Sequence, residues 1–163
     1  MDITLLVGAN ATGKSTRLKT LLDILIKRLD EPGKDYEYTF FDSKKDKVRT
    51  VVIGQLFSNG YLILGSLANN HAGWVSLDKA ILSTQDQRTE FYKYAMENDS
   101  ENVKHIVAEG YFNTTSPKMR PEYLRETGFD KINCVFMYYD TVEEFHTRTK
   151  LRAGHDRDME WAL

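Results

Sequence analysis

The chain has 163 residues, with 22 Lys and Arg against 24 Asp and Glu and a net charge of −2. This length suits a single domain over 1–163, and the balanced charge disfavours a dedicated DNA-binding domain, although a locally basic groove stays possible. A hydrophobic share of 41% with 3 Pro and 10 Gly excludes disordered and fibrous proteins.

Cysteine usage and hydropathy bear on where the protein works. The one cysteine, Cys134, cannot form an internal disulfide, which favours a reducing environment. The apolar runs are shorter than the roughly 18 residues of a membrane span, and the acidic start is not typical of a secretory signal. We therefore expect a cytoplasmic protein without a membrane partner.

The first residues predict a strand, a loop and a helix. Residues 3–7 form an apolar run ending at Gly8, as in a strand buried on both faces. A helix is predicted from Lys14 to about Leu29, before Pro32-Gly33. Its apolar stripe repeats at steps of three and four residues: Leu18, Leu21, Leu22, Leu25, Ile26 and Leu29.

The next segment is rich in β-prone residues. Strands are predicted at 36–41, 48–53 and 61–64, and Ser58-Asn59-Gly60 is a hairpin signal between the last two. This pattern predicts an antiparallel insert or extension around residues 36–64.

Helices and strands alternate in the rest of the chain. The predicted segments are a helix at 78–98, a strand at 103–108 ending at Glu109, a short helix at 117–126, a strand at 132–139 and a helix from Val142 into 148–157. Thr141 and Glu144 form a capping box at the start of the last helix. The alternation predicts an α/β fold with a parallel sheet flanked by helices.

One motif indicates the broad function. The pattern GxxxxGK[ST] is matched in full by Gly8, Ala9, Asn10, Ala11, Thr12, Gly13, Lys14, Ser15 and Thr16. A chance match in a chain of this length has a probability on the order of half a percent. The match also lies between a predicted strand and a predicted helix, which disfavours the alternative of a flexible turn with an exposed lysine.

Each residue type in this loop has a physical role. Gly8 and Gly13 let the backbone turn tightly and bring its N–H groups onto phosphate oxygens. The helix N-terminus adds positive potential. We expect Lys14 to reach the β- and γ-phosphates, Ser15 to ligate Mg²⁺ and Thr16 to add a phosphate contact.

Residues 1–29 resemble the start of a P-loop NTPase, and the rest of the chain resembles the nucleoside and nucleotide kinase branch of that family. The resemblance implies a P-loop kinase-like fold with ATP and Mg²⁺ as cofactors. It places Glu109 beside the transferred phosphate, as a general base or as a metal ligand with Ser15. It also implies a lid carrying Arg148 and Arg152, with Arg157 beyond them.

A second likeness concerns the acceptor. The succession Val52-Ile53-Gly54-Gln55, Leu62-Ile63-Leu64-Gly65, Ala72-Gly73-Trp74-Val75-Ser76 and Ala108-Glu109-Gly110 is similar to the motif order of bacteriophage 5-hydroxymethyluracil DNA kinases. Nucleoside kinases follow the acidic residue with Arg-Ser, whereas Gly110-Tyr111 follows here, so their acceptor recognition does not carry over. These folds also add one more strand after the lid helix.

Several residues have two interpretations. Glu109 could instead cap a helix, Asp140 could imitate a Walker-B aspartate or serve as a helix N-terminal charge, and the lid arginines could be solvated. Asp42 and Asp78 could contact an acceptor or lie in surface loops. The aromatic residues that could stack on a base or pack in the core are Phe57, Tyr61, Trp74, Tyr111 and Phe112. The basic run that could hold DNA or line a hairpin edge is Lys44, Lys45, Lys47 and Arg49.

The sequence thus predicts an ATP-dependent phosphotransferase that acts on a hydroxyl of a nucleoside, a nucleotide or a modified DNA base. One alternative is a P-loop NTPase that works as a switch or drives a partner, although a GTPase-type NKxD motif is absent from the sequence. The other is a module that binds ATP without chemistry, which Lys14 and Glu109 together disfavour. His71 has no partner at metal-ligand spacing, so no transition-metal site is expected.

Overall fold

A computed structural model describes residues 1–8, 12–42, 46–67, 74–75, 85–109 and 121–153. In chain order the elements are β1 (Asp2–Gly8), α1 (Lys14–Leu29), β2 (Lys34–Asp42), β3 (Lys47–Leu56), β4 (Tyr61–Leu64), β5 (Ser66–Leu67), β6 (Trp74–Val75), α2 (Gln85–Asn98), β7 (His105–Glu109), α3 (Pro121–Thr127), β8 (Lys131–Met137) and α4 (Val142–Ala153).

Six of these strands form one mixed sheet in the order β2-β3-β4-β7-β1-β8. The neighbours β4, β7, β1 and β8 pair in parallel, whereas β2 with β3 and β3 with β4 pair antiparallel. The predicted α/β class is therefore confirmed. The antiparallel segment is an extension of the main sheet, because β4 is hydrogen-bonded directly to β7.

The predicted hairpin joins β3 to β4. The Phe57 N–H donates to the Tyr61 carbonyl at 2.9 Å, and the Gly60 N–H donates to the Phe57 carbonyl at 2.9 Å. Gly60 has φ +84°, a backbone conformation that favours glycine. The loop therefore forms the glycine-containing hairpin turn that its sequence predicts.

The sheet buries a different cluster on each face. Leu6, Ile63 and Val107 pack against the α1 stripe of Leu18, Leu22 and Leu25. The other face packs against α2, α3 and the connection from α3 to β8 through Leu5, Ala108, Phe91, Tyr92, Leu124 and Phe129. Each buried side chain of this size stabilises the fold by about 1.5–3 kcal/mol, so the two clusters hold α1 and α2 on opposite faces.

The predicted element ends agree closely with those described. The α1 helix covers Lys14–Leu29 as predicted, although Ile26 of its predicted stripe is 38% exposed. Parts of three predicted helices lie outside the described residues, at positions 78–84, 117–120 and 154–157. The strand β8 ends at Met137, whereas the prediction extended it to 139. No helix in the described ranges is long and apolar enough to cross a membrane.

The carboxyl ends of β1, β7 and β8 lie at one edge of the sheet, since these strands are parallel neighbours. The chain leaves β1 at this edge and enters α1 there, and it likewise leaves β8 and enters α4. In open α/β sheets this is the edge where ligands bind. We call it the carboxyl edge.

Candidate functional site

The loop between β1 and α1 lies at the carboxyl edge, with Ala9, Asn10 and Ala11 outside the described residues. Gly13 is the N-cap of α1 with φ +89°, and having no side chain it cannot cap the first N–H groups of the helix. The first turn of α1 contains no acidic residue. The helix therefore supplies no carboxylate or side-chain cap of its own to its N-terminal N–H groups, which suits the binding of an anion.

Gly8 is held against the neighbouring strand. Its φ is +142°, and a Cβ atom built on it would lie 2.0 Å from the carbonyl oxygen of Met137 on β8. Only glycine fits both the backbone angle and the space. The loop therefore begins at a point that β8 fixes.

Lys14 is a buried cation. Its side chain is 8% exposed, and its Nζ donates to the carbonyl oxygen of Gly8 at 2.8 Å. Burying an ammonium group away from water costs free energy. The buried position of Lys14 therefore indicates a site that favours a positively charged side chain. The Lys14 side chain thus reaches back to the start of the loop.

Ser15 and Glu109 join the loop to the adjacent strand. The Ser15 Oγ donates to Glu109 Oε1 at 2.7 Å, and Glu109 is only 3% exposed at the end of β7. Because Glu109 is in register with Leu6, the α1-facing residue of β1, its side chain lies on the α1 face. The donated proton leaves the lone pairs of the Ser15 oxygen available to a cation.

The two threonines of the motif differ in burial. Thr12 is 6% exposed, whereas Thr16 is exposed and its carbonyl accepts a hydrogen bond from Thr20 Oγ1 at 3.0 Å. The predicted phosphate contact of the Thr16 side chain stays a prediction.

The lid arginines lie on α4. The Glu144 N–H donates to Thr141 Oγ1 at 3.1 Å, which confirms the helix start predicted by the capping box. Arg148 pairs with Glu144 at 2.6 Å, and its side chain is 50% exposed. Arg152 belongs to the described helix backbone, and Arg157 lies outside the described residues. A role for these arginines at the phosphates stays a prediction.

Two candidate aspartates have structural explanations. Asp140 is exposed, and its N–H donates to Glu144 Oε2 at 3.1 Å, which fits a helix N-terminal charge. Asp42 is buried and pairs with Arg49 at 2.9 Å across the β2–β3 ladder. Of the basic run, Arg49 is thus partly neutralised, Lys47 is exposed, and Lys44 and Lys45 lie outside the described residues.

Two candidate aromatics lie away from the carboxyl edge. Phe57 is buried in the cluster beneath α1, and Tyr61 stacks on His105 at the first residues of β4 and β7, with ring centroids 4.8 Å apart. Tyr111, Phe112, His71 and Asp78 lie outside the described residues, and Trp74 is described as part of β6. Core packing therefore explains the first two, as the alternative interpretation expected.

A groove of about 560 Å³ runs beside α1 and over β1, β7 and β8. Its walls are mainly apolar, with Leu6, Leu21 and Val135 among them, and it includes Arg17 and His105. Lys14, Ser15 and Glu109 do not line it. The groove is therefore separate from the buried polar residues of the loop.

One buried cation has no counterpart in the motif analysis. Arg88, in the first turns of α2, is 1% exposed, and the neighbouring Thr89 is 6% exposed. Burial lowers the pKa of the Arg88 guanidinium, while the Tyr92 hydroxyl and the Glu109 carboxylate act in the opposite direction. Arg88 thus lies close enough to Glu109 for their charges to interact.

A sequence signal for Arg88 does exist. Positions 88, 91, 92 and 95 follow the spacing of one helix face, and Phe91, Tyr92 and Ala95 of that face are buried. An arginine at a core-facing position is an exception that periodicity can reveal.

The described residues at the carboxyl edge include buried charges of both signs. Among the described residues near the ends of β1 and β7, the buried charges are Lys14, Arg88 and Glu109, with two positive and one negative. A phosphate chain at this edge would meet a helix N-terminus and the Lys14 cation.

A magnesium ion fits the residues that are present. No group of three or more His, Cys, Asp or Glu side chains within the described ranges is placed to hold a metal. Mg²⁺ needs few protein ligands, because it is usually held by one or two carboxylates together with water and substrate phosphates. Ser15 Oγ and Glu109 offer such oxygen ligands at 2.7 Å from each other.

Comparison of the chain with protein-family models, with curated proteins and with solved structures finds no match. What the chain does has to be inferred from its own residues.

Proposed function

We propose that the protein is an ATP-dependent phosphotransferase of the P-loop kinase type, which transfers the γ-phosphoryl group of ATP to a hydroxyl group. The observation that carries this proposal is the hydrogen bond from Ser15 to Glu109. It joins the phosphate-loop motif to a buried carboxylate at the end of the adjacent parallel strand. A phosphotransferase needs a phosphate cradle and an acidic group side by side at such an edge.

The chain's residues divide the work of the reaction. The loop N–H groups and Lys14 bind the phosphates. They also stabilise the negative charge that develops on the leaving oxygen of ADP. Ser15 and Glu109 would hold Mg²⁺, which when bound offsets charge on the phosphate oxygens.

Glu109 can also handle the acceptor proton. The acceptor oxygen forms a bond to the γ-phosphorus as the bond from phosphorus to the ADP oxygen breaks, and the hydroxyl proton passes to the carboxylate or to solvent. The Glu109 Oε1 accepts the hydrogen bond from Ser15. The same carboxylate would therefore hold Mg²⁺ and take up the proton of the acceptor hydroxyl.

The acceptor we favour is a hydroxymethyl group on a DNA base, as the likeness to 5-hydroxymethyluracil DNA kinases suggests. A base in duplex DNA must be turned out of the stack at a cost of a few kcal/mol. Nucleosides and nucleotides are the simpler acceptors. Binding of DNA would have to use local lysines, since the net charge of the chain is −2.

The test is incubation with labelled ATP and Mg²⁺ over a panel of nucleosides, nucleotides and DNA duplexes with and without 5-hydroxymethyluracil, followed by mass analysis. Lys14→Ala is the inactive variant, with turnover expected to fall by at least ~100-fold, or ~2.7 kcal/mol at the transition state. Lys19→Ala removes an exposed lysine of the same helix and should keep full activity.

The outcomes separate the candidate functions. Phosphate on duplex DNA, weakening as salt rises, supports the DNA-kinase proposal. Phosphate on free nucleosides or nucleotides alone leaves a small-molecule kinase. ATP hydrolysis that no acceptor stimulates favours a switch or partner-driving NTPase. Equal turnover by wild type and Lys14→Ala would contradict the P-loop assignment.

A further inference from the structure

One edge of the main sheet is formed by β8, whose inner side pairs with β1. On its other side, β8 pairs with none of the strands that the structure describes. We call this side the outer edge of β8. The backbone N–H and C=O groups of an unpaired edge form a template on which a further strand can pair.

Large apolar side chains are exposed on both faces of β8. Val135 is in register with Leu6, on the α1 face, and is 47% exposed. Phe136 follows it, lies on the opposite face and is 74% exposed. Tyr138, directly after the strand, is 78% exposed. Neighbouring exposed apolar side chains at a sheet edge are typical of an interaction surface.

The other edge of the sheet, formed by β2, differs in charge. The exposed residues of β2 include Lys34, Asp35 and Glu37. Charged side chains on an edge strand prevent it from pairing with other chains. The segment 132–139, by contrast, contains no charged residue. The chain therefore has charged side chains that oppose pairing along β2 and lacks them along β8.

Alternate residues of β8 present their backbone polar groups at the outer edge. The Met137 carbonyl oxygen lies against Gly8 of β1, 2.0 Å from the position that a Cβ atom on Gly8 would occupy. Successive residues of a strand direct their N–H and C=O groups to opposite sides, so those of Ile132, Cys134 and Phe136 point outward. An incoming strand would therefore form its hydrogen bonds with these three residues.

A second copy of β8 fits this edge in the antiparallel direction. Cys134 is the middle residue of Lys131–Met137, so a two-fold axis at Cys134 pairs the strand over its whole length. Phe136 then opposes Ile132 of the second copy, an aromatic residue against a β-branched one. The one charged residue of the strand, Lys131, opposes an uncharged residue. The outward residues of the two strands would exchange about six hydrogen bonds.

We infer that the protein forms a two-fold dimer in which two β8 strands pair antiparallel along their outer edges, with Cys134 at the axis. The pairing joins the two main sheets into one and brings each exposed Phe136 against the second copy. Its seven-residue strands make a small interface, so we expect a Kd on the order of 10 µM. The inference does not depend on the proposed function.

Sedimentation velocity of the full chain over a concentration series measures the dimer. The wild type should pass from monomer to dimer across the expected Kd. Phe136→Lys places a charge at the outer edge and should weaken the dimer by at least about tenfold. The matched control, Phe41→Lys, changes a 59% exposed phenylalanine on β2, at the opposite edge of the sheet, and should dimerise like the wild type. Melting temperatures verify that both variants fold.

The distance between spin labels on the two copies tests the register. Cys134→Ser removes the one native thiol, and Lys131→Cys then supplies a labelling site at an exposed position of β8. In the inferred register, position 131 of each copy lies opposite position 137 of the other, which places the two labelled backbone positions about 20 Å apart. An axis shifted by one residue in either direction would give about 14 or about 27 Å instead.

A wild-type protein that stays monomeric at about ten times the expected Kd overturns the inference. A dimer that Phe136→Lys leaves intact, or that Phe41→Lys weakens to the same extent, also overturns it. If Phe136→Lys does not fold, Val135→Lys on the other face of the same strand takes its place, with the same expected loss. A label separation of about 14 or about 27 Å overturns the assigned axis at Cys134.

Discussion

Glu109 is the residue whose charge bears most directly on the proposed chemistry. It is buried, and its Oε1 accepts the proton of Ser15. Glu109→Gln keeps the size of the side chain and an oxygen that can accept this hydrogen bond, so the fold should persist.

We expect Glu109→Gln to lower transfer by about 10²–10⁴-fold while affinity for Mg·ATP is kept, because an amide cannot take up the acceptor proton. Turnover and nucleotide affinity are measured over a magnesium series. Glu97→Gln, an exposed change on α2, is the matched control. Loss of ATP affinity that excess Mg²⁺ restores would show that Glu109 serves as a metal ligand instead.

At this scale the sequence predicts part of the site. Lys14 and Ser15 follow from the loop motif, and Glu109 follows from its place after an apolar strand. Arg88 belongs to no motif; the spacing of residues 88, 91, 92 and 95 marks its helix face, but only the folded structure shows that this face is buried.

At the scale of elements, Gly8 and Gly128 distinguish two free-energy costs of adding a Cβ atom at a positive φ, namely backbone strain and a clash with neighbouring atoms. Both have φ between +110° and +142°. A Cβ on Gly8 would meet the Met137 carbonyl at 2.0 Å, whereas the nearest atom to one on Gly128 is the Met96 sulfur at 3.5 Å. The β1–β8 pairing thus adds a clash only at Gly8.

Gly128→Ala should destabilise the fold by about 1–2 kcal/mol through backbone strain alone. Gly8→Ala should cost about 1–3 kcal/mol more, because the backbone of β8 must move. Urea unfolding without nucleotide measures both. Equal losses for the two variants would contradict the close approach of β8 to the loop.

His105 connects three strands on the α1 face. Its Nε2 lies 2.8 Å from Thr4 Oγ1 of β1, and its ring stacks on Tyr61 of β4. Burial lowers the pKa of His105, with the Asp2 carboxylate acting to raise it and Lys131 acting to lower it. The folded protein therefore prefers the neutral ring.

A lowered pKa makes stability depend on pH in one direction. The contribution of His105 is fully present above its ordinary pKa of about 6.5, and it is lost as pH falls from there toward the folded-state pKa. Between about pH 7.5 and 5.5, the wild type should lose more unfolding free energy than His105→Gln. Parallel urea series at both pH values test this, and equal losses would contradict it.

Element types and ends are predicted well, but strand neighbours are not. The sequence predicts a strand at residues 61–64 with a hairpin before it, and the antiparallel pairing of β3 with β4 confirms both. That β4 also pairs in parallel with β7 could not be foreseen, because a four-residue apolar strand looks alike whichever partner it has.

At the scale of the whole molecule, charge is divided unevenly. The net charge is −2, whereas the buried charged residues described at the carboxyl edge include the cations Lys14 and Arg88. The net charge of the chain therefore does not exclude binding of a polyanion, because a polyanion responds to the local electrostatic potential. The α/β class follows from alternation of elements alone, but this local charge needs the folded arrangement.

Binding of Mg·ATP should therefore stabilise the folded chain as a whole. At a concentration about 100 times its Kd, a ligand of the folded state adds about 2.7 kcal/mol. For a chain of this size that corresponds to a rise in melting temperature of about 5–11 °C. Lys14→Ala should show little of this shift, because it lacks the cation that we propose binds the β- and γ-phosphates, and chelation of Mg²⁺ should reduce the shift in the wild type. Thermal scans with ATP, with ADP and with a nucleoside that lacks phosphates test the prediction. A shift produced equally by the nucleoside, or kept in full by Lys14→Ala, would place binding outside the loop at Gly8–Thr16.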